Sequence, residues 1–229
     1  MYSSAWFDTF VNAMPAATTA AEVAAIARFA PPGEYPAALD IGCGVGRVAA
    51  GLQQCGYQVT GIDINADAVA RARLAVPQAH FIVLDLQHID QLPRQFDVAV
   101  ILWNGLGFGS READRASLHG IASVLRPGGK LLLDLYHPTW LARNEQRATR
   151  DERGATIDRW IVDGRSWHRI VYDNGHCDSI DFNVYTPEEI RPLLGDAGLD
   201  VGQPMTWWDP ARPASVADAR YQLVCVREH

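Results

Sequence analysis

The chain has 229 residues, of which 48% are hydrophobic and 21% charged, and its formal net charge is -7 at pH 7. This composition is ordinary for a globular protein with a full core, and the length fits a single α/β domain. The acidic balance argues against a surface that follows nucleic-acid phosphates, for which a basic face is expected.

The N-terminus and the cysteines give expectations about location and partners. The stretch "MYSSAWFDTF" lacks the pattern of a secretory signal, and no apolar run approaches the ~20 residues that cross a bilayer. The four cysteines form no C-x-x-C pair, which favours reduced thiols over a disulfide framework or a zinc site. We therefore expect a cytoplasmic protein with no bound metal and no membrane or nucleic-acid partner.

The first two-thirds of the chain alternates between helical patterns and short apolar runs. Thr19 and Glu22 have the spacing of a capping box and predict that a helix begins there. Asn65 and Ser110 are suited to cap two later helices. The alternation is typical of a parallel sheet with crossover helices, and the predicted strands are 37–41, 57–63, 80–85, 96–103 and 130–136.

The pattern changes near residue 143 and returns near residue 186. "ERG", "DG" and "DNG" separate short, half-polar runs, which predicts an antiparallel insertion of three or four strands over 143–185. Thr186 and Glu189 form a second capping box ahead of another helix. Two closing strands, "DVGQPMTWW" and "YQLVCVRE", end the chain.

The stretch "LDIGCGVGR" lies between the first strand and a helix, where backbone N–H groups face the mouth of an open sheet. It matches the dinucleotide pattern G-x-G-x-x-A at Gly44, Gly46 and Ala49, with Asp63 near the expected position of a ribose-binding acid. It also matches D-x-G-x-G-x-G, beginning at Asp40. The loop alone therefore leaves both kinds of cofactor open.

The second pattern and the segments that follow it resemble the class I S-adenosylmethionine-dependent methyltransferases, most closely those that act on small molecules. The matching segments, in family order over residues 37–136, are "LDIGCGVG", "GIDIN", "VLDLQ", "FDVAVILWNGLGF" and "LRPGGKLLLDLY". The resemblance implies a Rossmann-like, seven-stranded, mostly parallel sheet with helices on both faces and an antiparallel last strand pair. In this arrangement residues 1–229 form one domain, 1–30 a helical cap and 143–185 a substrate lid.

The resemblance also implies S-adenosylmethionine as the methyl donor and S-adenosylhomocysteine as its product. Asp63 takes the place that binds the ribose hydroxyls, and Asp85 the place that accepts from the adenine amino group. Alternative interpretations are that both aspartates only cap the turns that follow them, and that the aromatic residues Trp6 and Phe7 of the cap only pack against the domain. The residues predicted to surround the cofactor are Asp40, Gly42, Cys43, Gly44, Asp63, Ile64, Asp85, Leu86, Leu102 and Trp103, with Trp6 and Phe7 from the cap.

Methyl transfer from a sulfonium is an in-line displacement, so orientation and exclusion of water are the main demands on the protein. Asn104, Tyr136 and His137 follow the fourth and fifth strands and are the candidate catalytic residues, with His137 the best base by pKa class. Alternatively, "YHPTW" is only a turn. The expected acceptor is a small molecule methylated at nitrogen or oxygen, and the expected assembly is a monomer or homodimer.

Two other functions remain open at this point. The match at Gly44 permits an NAD(P)-dependent oxidoreductase, and the lack of an obvious base permits a cofactor-binding module without turnover. The motif N/D/S-P-P-Y/F of enzymes that methylate amino groups in nucleic acids is absent, because "WNGLG" occupies its position.

Overall fold

The computed structural model describes residues 2–92, 95–103 and 105–228. The helices are α1 (Ser4–Trp6), which continues into a π-helical turn (Phe7–Val11), α2 (Ala16–Phe29), α3 (Arg47–Gln54), α4 (Ala66–Ala75), α5 (Arg111–Val124), α6 (Pro138–Arg143) and α7 (Pro187–Asp196); a 3₁₀ helix spans Leu86–Gln91. The strands are β1 (Ala37–Ile41), β2 (Gln58–Asp63), β3 (His80–Val83), β4 (Phe96–Ile101), β5 (Leu125–Tyr136), β6 (Gln146–Asp151), β7 (Ala155–Val162), β8 (Arg165–Tyr172), β9 (Cys177–Asn183), β10 (Leu199–Val201), β11 (Met205–Thr206), β12 (Asp209–Pro213) and β13 (Arg220–Arg227).

The large sheet confirms the predicted α/β architecture. Its order is β12-β11-β13-β5-β4-β1-β2-β3, with β10 also paired to β13. The pairs that join β3, β2, β1, β4 and β5 are parallel, and β13 runs antiparallel to β5. The carboxyl ends of β1, β2 and β4 therefore meet at one edge, where open α/β sheets bind ligands.

The end of the chain differs from the predicted strand pair. The run "DVGQPMTWW" is not one strand but two: Val201 pairs with Cys225, whereas Met205 pairs with Gln222 in a register shifted by one residue, and Pro204 between them has no N–H to donate. The additional strand β12 was not predicted. Among the described residues the sheet thus has nine strands rather than seven.

Apolar side chains cover both faces of this sheet. Alternate residues of β4 point to opposite sides, so Ile101 packs toward α5 and α7 while Val100 packs toward α2, α3 and α4. The predicted insertion is confirmed as a separate antiparallel sheet of order β6-β7-β8-β9. It contacts the large domain through Gly107, whose carbonyl accepts from the Asn183 N–H at 2.8 Å.

Three predicted helix starts are confirmed and one is wrong. Asn65, Ser110 and Thr186 each accept a hydrogen bond from the backbone N–H three residues further on. Helix α2 begins at Ala16, so Thr19 lies inside it and does not cap it. Thr19 and Glu22 instead both accept hydrogen bonds from the side chain of Arg47 in α3.

No single helix among the described residues is long and apolar enough to cross a membrane. In the part of the chain that the structure describes, one pair, Ser4–Val11 and Ala16–Phe29, bent by 94°, reaches that length and hydropathy together.

Candidate active site

The glycine loop is fixed on the neighbouring strand. The backbone N–H groups of Gly42 and Cys43 donate to the carbonyl of Ile62 at 2.8 and 3.0 Å. Gly44 has a φ of +51°, which favours glycine, and a Cβ there would lie 2.7 Å from a ring carbon of Phe7. The ring of Phe7, from the N-terminal segment, thus packs directly against the backbone of the loop at Gly44.

A cavity of about 380 Å³ opens where the strands of the large sheet end, and this volume is in the range of small-molecule sites. The N-terminal segment covers one side of it and β9 of the insertion lies at another. The predicted cofactor residues that line it are Trp6, Phe7, Gly42, Asp63, Ile64, Asp85, Leu86, Leu102 and Trp103.

A smaller cavity of about 60 Å³ continues behind the glycine loop. Asp40, Cys43 and Gly44, the remaining predicted cofactor residues, line this second space. Trp103 and Leu102 line both cavities and so mark the place where they meet. The structure therefore brings every residue predicted for the cofactor to these two spaces.

Asp63 and Asp85 both fix turns and both face the large cavity. Asp63 accepts from the N–H of Asn65 with Oδ1 at 2.8 Å and from the N–H of Gly44 with Oδ2 at 2.9 Å. Asp85 accepts from the Gln87 N–H at 2.9 Å and caps the 3₁₀ helix. Since each carboxylate oxygen accepts more than one hydrogen bond, turn capping and ligand binding are compatible.

Asp40 is a buried carboxyl that can accept a further hydrogen bond. It is only 3% exposed, and within the described part of the chain its Oδ2 has no donor. Burial raises its pKa to about 7, although the cation of Arg47 opposes this shift. Such an acceptor at the wall of a cavity fits a ligand that carries a hydrogen-bond donor with positive charge.

Arg47 is held beside Asp40 by helix α2. Its Nη1 donates to Glu22 Oε2 at 2.5 Å and to Thr19 Oγ1 at 2.7 Å, which explains the spacing of those two residues. The other oxygen of Glu22 accepts from the indole N–H of Trp103 at 2.6 Å. Arg47 was not predicted as a site residue; its position at the start of α3, directly after the glycines, was the available signal.

Tyr136 and His137, two of the predicted catalytic residues, do not line the large cavity. His137 is buried and caps α6, where its Nδ1 accepts from the Thr139 N–H at 3.3 Å, and burial lowers its pKa. Tyr136 lines a separate space of about 10 Å³, with its ring 6.2 Å from that of Phe182. Asn104 lies outside the described residues.

The large cavity also has polar lining that was not predicted as part of the site. Tyr2 and Asn65 lie on the side of the N-terminal segment, and Ser179 and Asp181 come from β9. Asp114 of α5 lines it too, and its Oδ2 accepts from Asn183 and from the Tyr185 hydroxyl. These residues reach the cavity through tertiary packing, so no local motif marked them.

Comparison with known proteins shows what this part of the chain is similar to. Residues 38–129 match the family model of a methyltransferase domain. The chain is 30% identical over 101 residues to the malonyl-[acyl-carrier protein] O-methyltransferase of Enterobacter lignolyticus, which covers 44% of this chain and 39% of that protein. It is 28% identical over 167 residues to the ubiquinone biosynthesis O-methyltransferase of a Bradyrhizobium species, covering 70% of this chain and 57% of that protein. The chain thus spans well under two thirds of either relative.

Solved structures share the fold over nearly the whole chain. An S-adenosylmethionine-dependent methyltransferase from Clostridium acetobutylicum has a TM-score of 0.82 at 12% identity, covering 99% of this chain and 98% of that one. CalS10, an amino pentose methyltransferase from Micromonospora echinaspora solved with S-adenosylmethionine bound, has a TM-score of 0.73 at 21% identity, covering 99% and 98%.

Fold, glycine loop and family model agree on one class. Residues 38–129 match a methyltransferase-domain model, and the whole chain has the fold of S-adenosylmethionine-dependent methyltransferases of known structure. Of the functions left open by the sequence, this agreement favours the methyltransferase over the NAD(P)-dependent oxidoreductase.

Proposed function

We propose that this protein transfers a methyl group from S-adenosylmethionine to a nitrogen or oxygen atom of a small-molecule acceptor, and that the cofactor occupies both cavities. The observation that carries the proposal is the pair of opposite charges in the small cavity. Asp40 and Arg47 lie there together, and an α-amino acid carries an ammonium and a carboxylate. The buried Oδ2 of Asp40 is the acceptor that such an ammonium fits.

The large cavity suits the nucleoside part of the same molecule. Asp63 offers carboxylate oxygens to the ribose hydroxyls, and Asp85 offers an acceptor to the adenine amino group. Ile64 and Leu86 supply apolar surface for the base. Because Trp103 lines both cavities, we place the sulfur between the two parts, beside this ring.

When bound, S-adenosylmethionine would supply a methyl group on a positively charged sulfur: a lone pair of the acceptor would form the new bond to the methyl carbon as the carbon–sulfur bond breaks, and S-adenosylhomocysteine would leave as a neutral thioether. The chain's own residues would hold the methyl donor and the acceptor in position and exclude water from them. Trp6 and Phe7 cover the site from the N-terminal segment, and Ile180 covers it from β9. Such positioning is worth effective molarities of ~10⁵ M or more. His137 has no part in this mechanism, since it is buried as a helix cap.

The acceptor is expected at the side of the large cavity where Ser179 and Asp181 lie. Among the described residues that line this cavity, the charged side chains are all aspartates: Asp63, Asp85, Asp114 and Asp181. Arg165 pairs with Asp181 but does not itself line the cavity, so a carboxylate or phosphate would find no cation among the described lining residues. This supports an acceptor that is neutral or positively charged.

Isothermal titration with S-adenosylhomocysteine tests the cofactor assignment. We expect the wild type to bind and Asp63→Ala to bind about tenfold more weakly or worse, because hydrogen bonds to a charged group are lost. Asp67→Ala is the matched control, since Asp67 lies on the exposed side of the adjacent helix α4 and should bind normally.

No binding by the wild type, or equal binding by Asp63→Ala, would overturn the proposal. Tight binding of NADH instead would support the oxidoreductase. Turnover is tested separately by incubating the protein with S-adenosylmethionine and panels of amines, phenols and carboxylates. Formation of S-adenosylhomocysteine with an amine or phenol supports the acceptor class, and formation with carboxylates alone contradicts it.

A further inference from the structure

Trp103 has a backbone conformation that bulky residues rarely adopt. Its φ is +59°, in the left-handed region where glycine is the usual residue. A side chain as large as tryptophan stays there only when its surroundings hold it, and such strain tends to accumulate where function requires a fixed geometry. Since Trp103 lines both cavities, what holds its backbone matters for the site.

The group that holds it is a buried carboxylate on β5. Oδ2 of Asp134 accepts from the backbone N–H of Trp103 at 3.2 Å and from Nε of Arg220 at 2.7 Å. Oδ1 accepts from the side-chain amide of Gln222 at 2.8 Å. The oxygen of that amide accepts in turn from the backbone N–H of Trp208 at 3.0 Å. We call Asp134, Arg220 and Gln222 the Asp134 cluster.

The indole of Trp103 is fixed at its other end as well. Its N–H donates to Glu22, and the guanidinium groups of Arg220 and Arg47 lie 5.3 and 5.9 Å from the ring. Asp134 itself is 5% exposed and lines neither cavity. Of the three described groups that donate to its carboxylate, Trp103 is the one that lines the cavities.

We propose that Asp134 is a positioning residue: it holds Trp103 in the left-handed conformation, so that the indole forms a rigid wall where the two cavities meet. The proposal rests on the proposed function, because that wall is then the surface beside the reacting sulfur. A fixed aromatic face there favours the positive charge of the sulfonium and excludes water.

Asp134→Asn is the direct test, because all three described neighbours of the Asp134 carboxylate donate hydrogen bonds to it. Asparagine has one acceptor oxygen and one NH₂ donor, whereas its neighbours on both sides are donors. If its oxygen faces Trp103 and Arg220, its NH₂ opposes the NH₂ of Gln222. Rotating Gln222 relieves this conflict only by turning its own NH₂ toward the N–H of Trp208.

The double variant Asp134→Asn/Gln222→Glu restores every hydrogen bond and the net charge. The glutamate accepts both from the NH₂ of the asparagine and from the Trp208 N–H. Asp97→Asn is the control for general destabilisation: Asp97 is also buried in this sheet, accepts from the Ala37 N–H at 2.8 Å and pairs with Arg126 at 2.8 Å. It lies at the opposite end of the strands from the cavities.

Two measurements are made on each variant. Titration with S-adenosylhomocysteine should show about tenfold weaker binding for Asp134→Asn, near-normal binding for Asp97→Asn and recovery in the double variant. In the protein without ligand, NMR of the ¹⁵N-labelled indoles should show faster hydrogen exchange at the Trp103 indole N–H in Asp134→Asn than in the wild type. Asp97→Asn and the double variant should exchange at the wild-type rate. Trp103→Phe assigns that signal.

The outcomes separate the two proposals. If the wild type does not bind S-adenosylhomocysteine, the proposed function fails, and the indole exchange still decides whether Asp134 positions Trp103. If the wild type binds and Asp134→Asn binds equally well, this inference is overturned while the proposed function stands. Equal weakening by Asp97→Asn, or no recovery in a folded double variant, also overturns it. Should Asp134→Asn not fold, Gln222→Met takes its place, and unchanged binding and unchanged indole exchange in that variant overturn the inference.

Discussion

At the scale of single residues, the site depends on charges that the fold keeps away from water. Asp40 is buried beside Arg47, with Asp63 and Glu22 the other charged groups that affect it. Asp63 is itself shifted, since burial raises its pKa while backbone N–H donors oppose the shift. Charges so placed are costly to bury and give a ligand of complementary charge a large advantage.

We expect Asp40 to make cofactor binding depend on pH. Its pKa of about 7 means that it is largely protonated at pH 6 and largely ionised at pH 8. An ammonium pairs with the ionised form, so the wild type should bind S-adenosylhomocysteine roughly tenfold more tightly at pH 8 than at pH 6. Titrations at both pH values check this. Asp40→Asn should bind weakly at both; a pH dependence that survives in this variant would assign the effect to another group.

The raised pKa of Asp40 also makes the free energy of unfolding depend on pH. The folded pKa of Asp40 lies above the unfolded value of about 4, so the folded protein binds more protons between pH 4 and pH 7. The free energy of unfolding contributed by this residue therefore decreases as the pH rises through that interval, by on the order of 4 kcal/mol. Urea unfolding at pH 5 and pH 8 should show a smaller decrease in Asp40→Asn. An equal decrease in both proteins contradicts the assignment.

At the scale of elements, the insertion is joined to the methyltransferase domain by buried polar contacts. Asp114 of α5 accepts at Oδ2 from the Asn183 amide at 2.7 Å and from the Tyr185 hydroxyl at 2.6 Å. Burial raises the pKa of Asp114, and these donors oppose the shift. The end of β9 and the segment before α7 are thereby tied to the helix that lines the large cavity.

Removing one hydrogen-bond donor from Asp114 should measurably lower the free energy of unfolding. Tyr185→Phe takes a hydrogen bond from a buried carboxylate, and we expect a loss of about 1–3 kcal/mol in the free energy of unfolding. The loss should be larger at pH 8 than at pH 5, because the carboxylate that lost its donor is harder to ionise. Tyr221→Phe is the matched control: its hydroxyl donates at 2.8 Å to a neutral carbonyl, that of Tyr185. Equal, pH-independent losses in both variants would contradict this account.

The elements also show what the sequence could predict. Asn65 and Thr186 cap helices through contacts three residues away, so their role is visible locally. Thr19 and Glu22 have the same kind of spacing, but their partner Arg47 is more than twenty residues away and only the fold brings it close. Ser179 and Asp181 reach the cavity because of how the insertion packs, which no local pattern records.

At the scale of the whole molecule, the N-terminal segment joins three parts of the fold. Phe7 rests on the glycine loop at Gly44, and the side-chain amide of Asn65 donates to the Tyr2 carbonyl at 2.9 Å. Tyr2, Trp6 and Phe10 pack on the insertion around Tyr172. The backbone N–H and hydroxyl of Ser3 donate to Asp178 of β9 at 3.3 and 2.9 Å. A ligand enclosed by all three parts should stabilise them together.

This enclosure predicts a ligand effect on the melting temperature that depends on Phe7. S-Adenosylhomocysteine at about 100 times its Kd should stabilise the wild type by ~2.7 kcal/mol, a rise in Tm of roughly 5–10 °C for a chain of this size. Phe7→Ala removes a buried ring from the wall of both cavities, so at the same ligand concentration its rise should be about half or less.

Phe29→Ala is the matched control, because Phe29 packs against Trp208 and lines neither cavity. It should lower the Tm of the free protein yet keep the full rise on adding ligand. Thermal unfolding of all three proteins, with and without ligand, makes the comparison. If Phe7→Ala shows the wild-type rise, the ring is a packing residue alone, and the N-terminal segment does not enclose the cofactor.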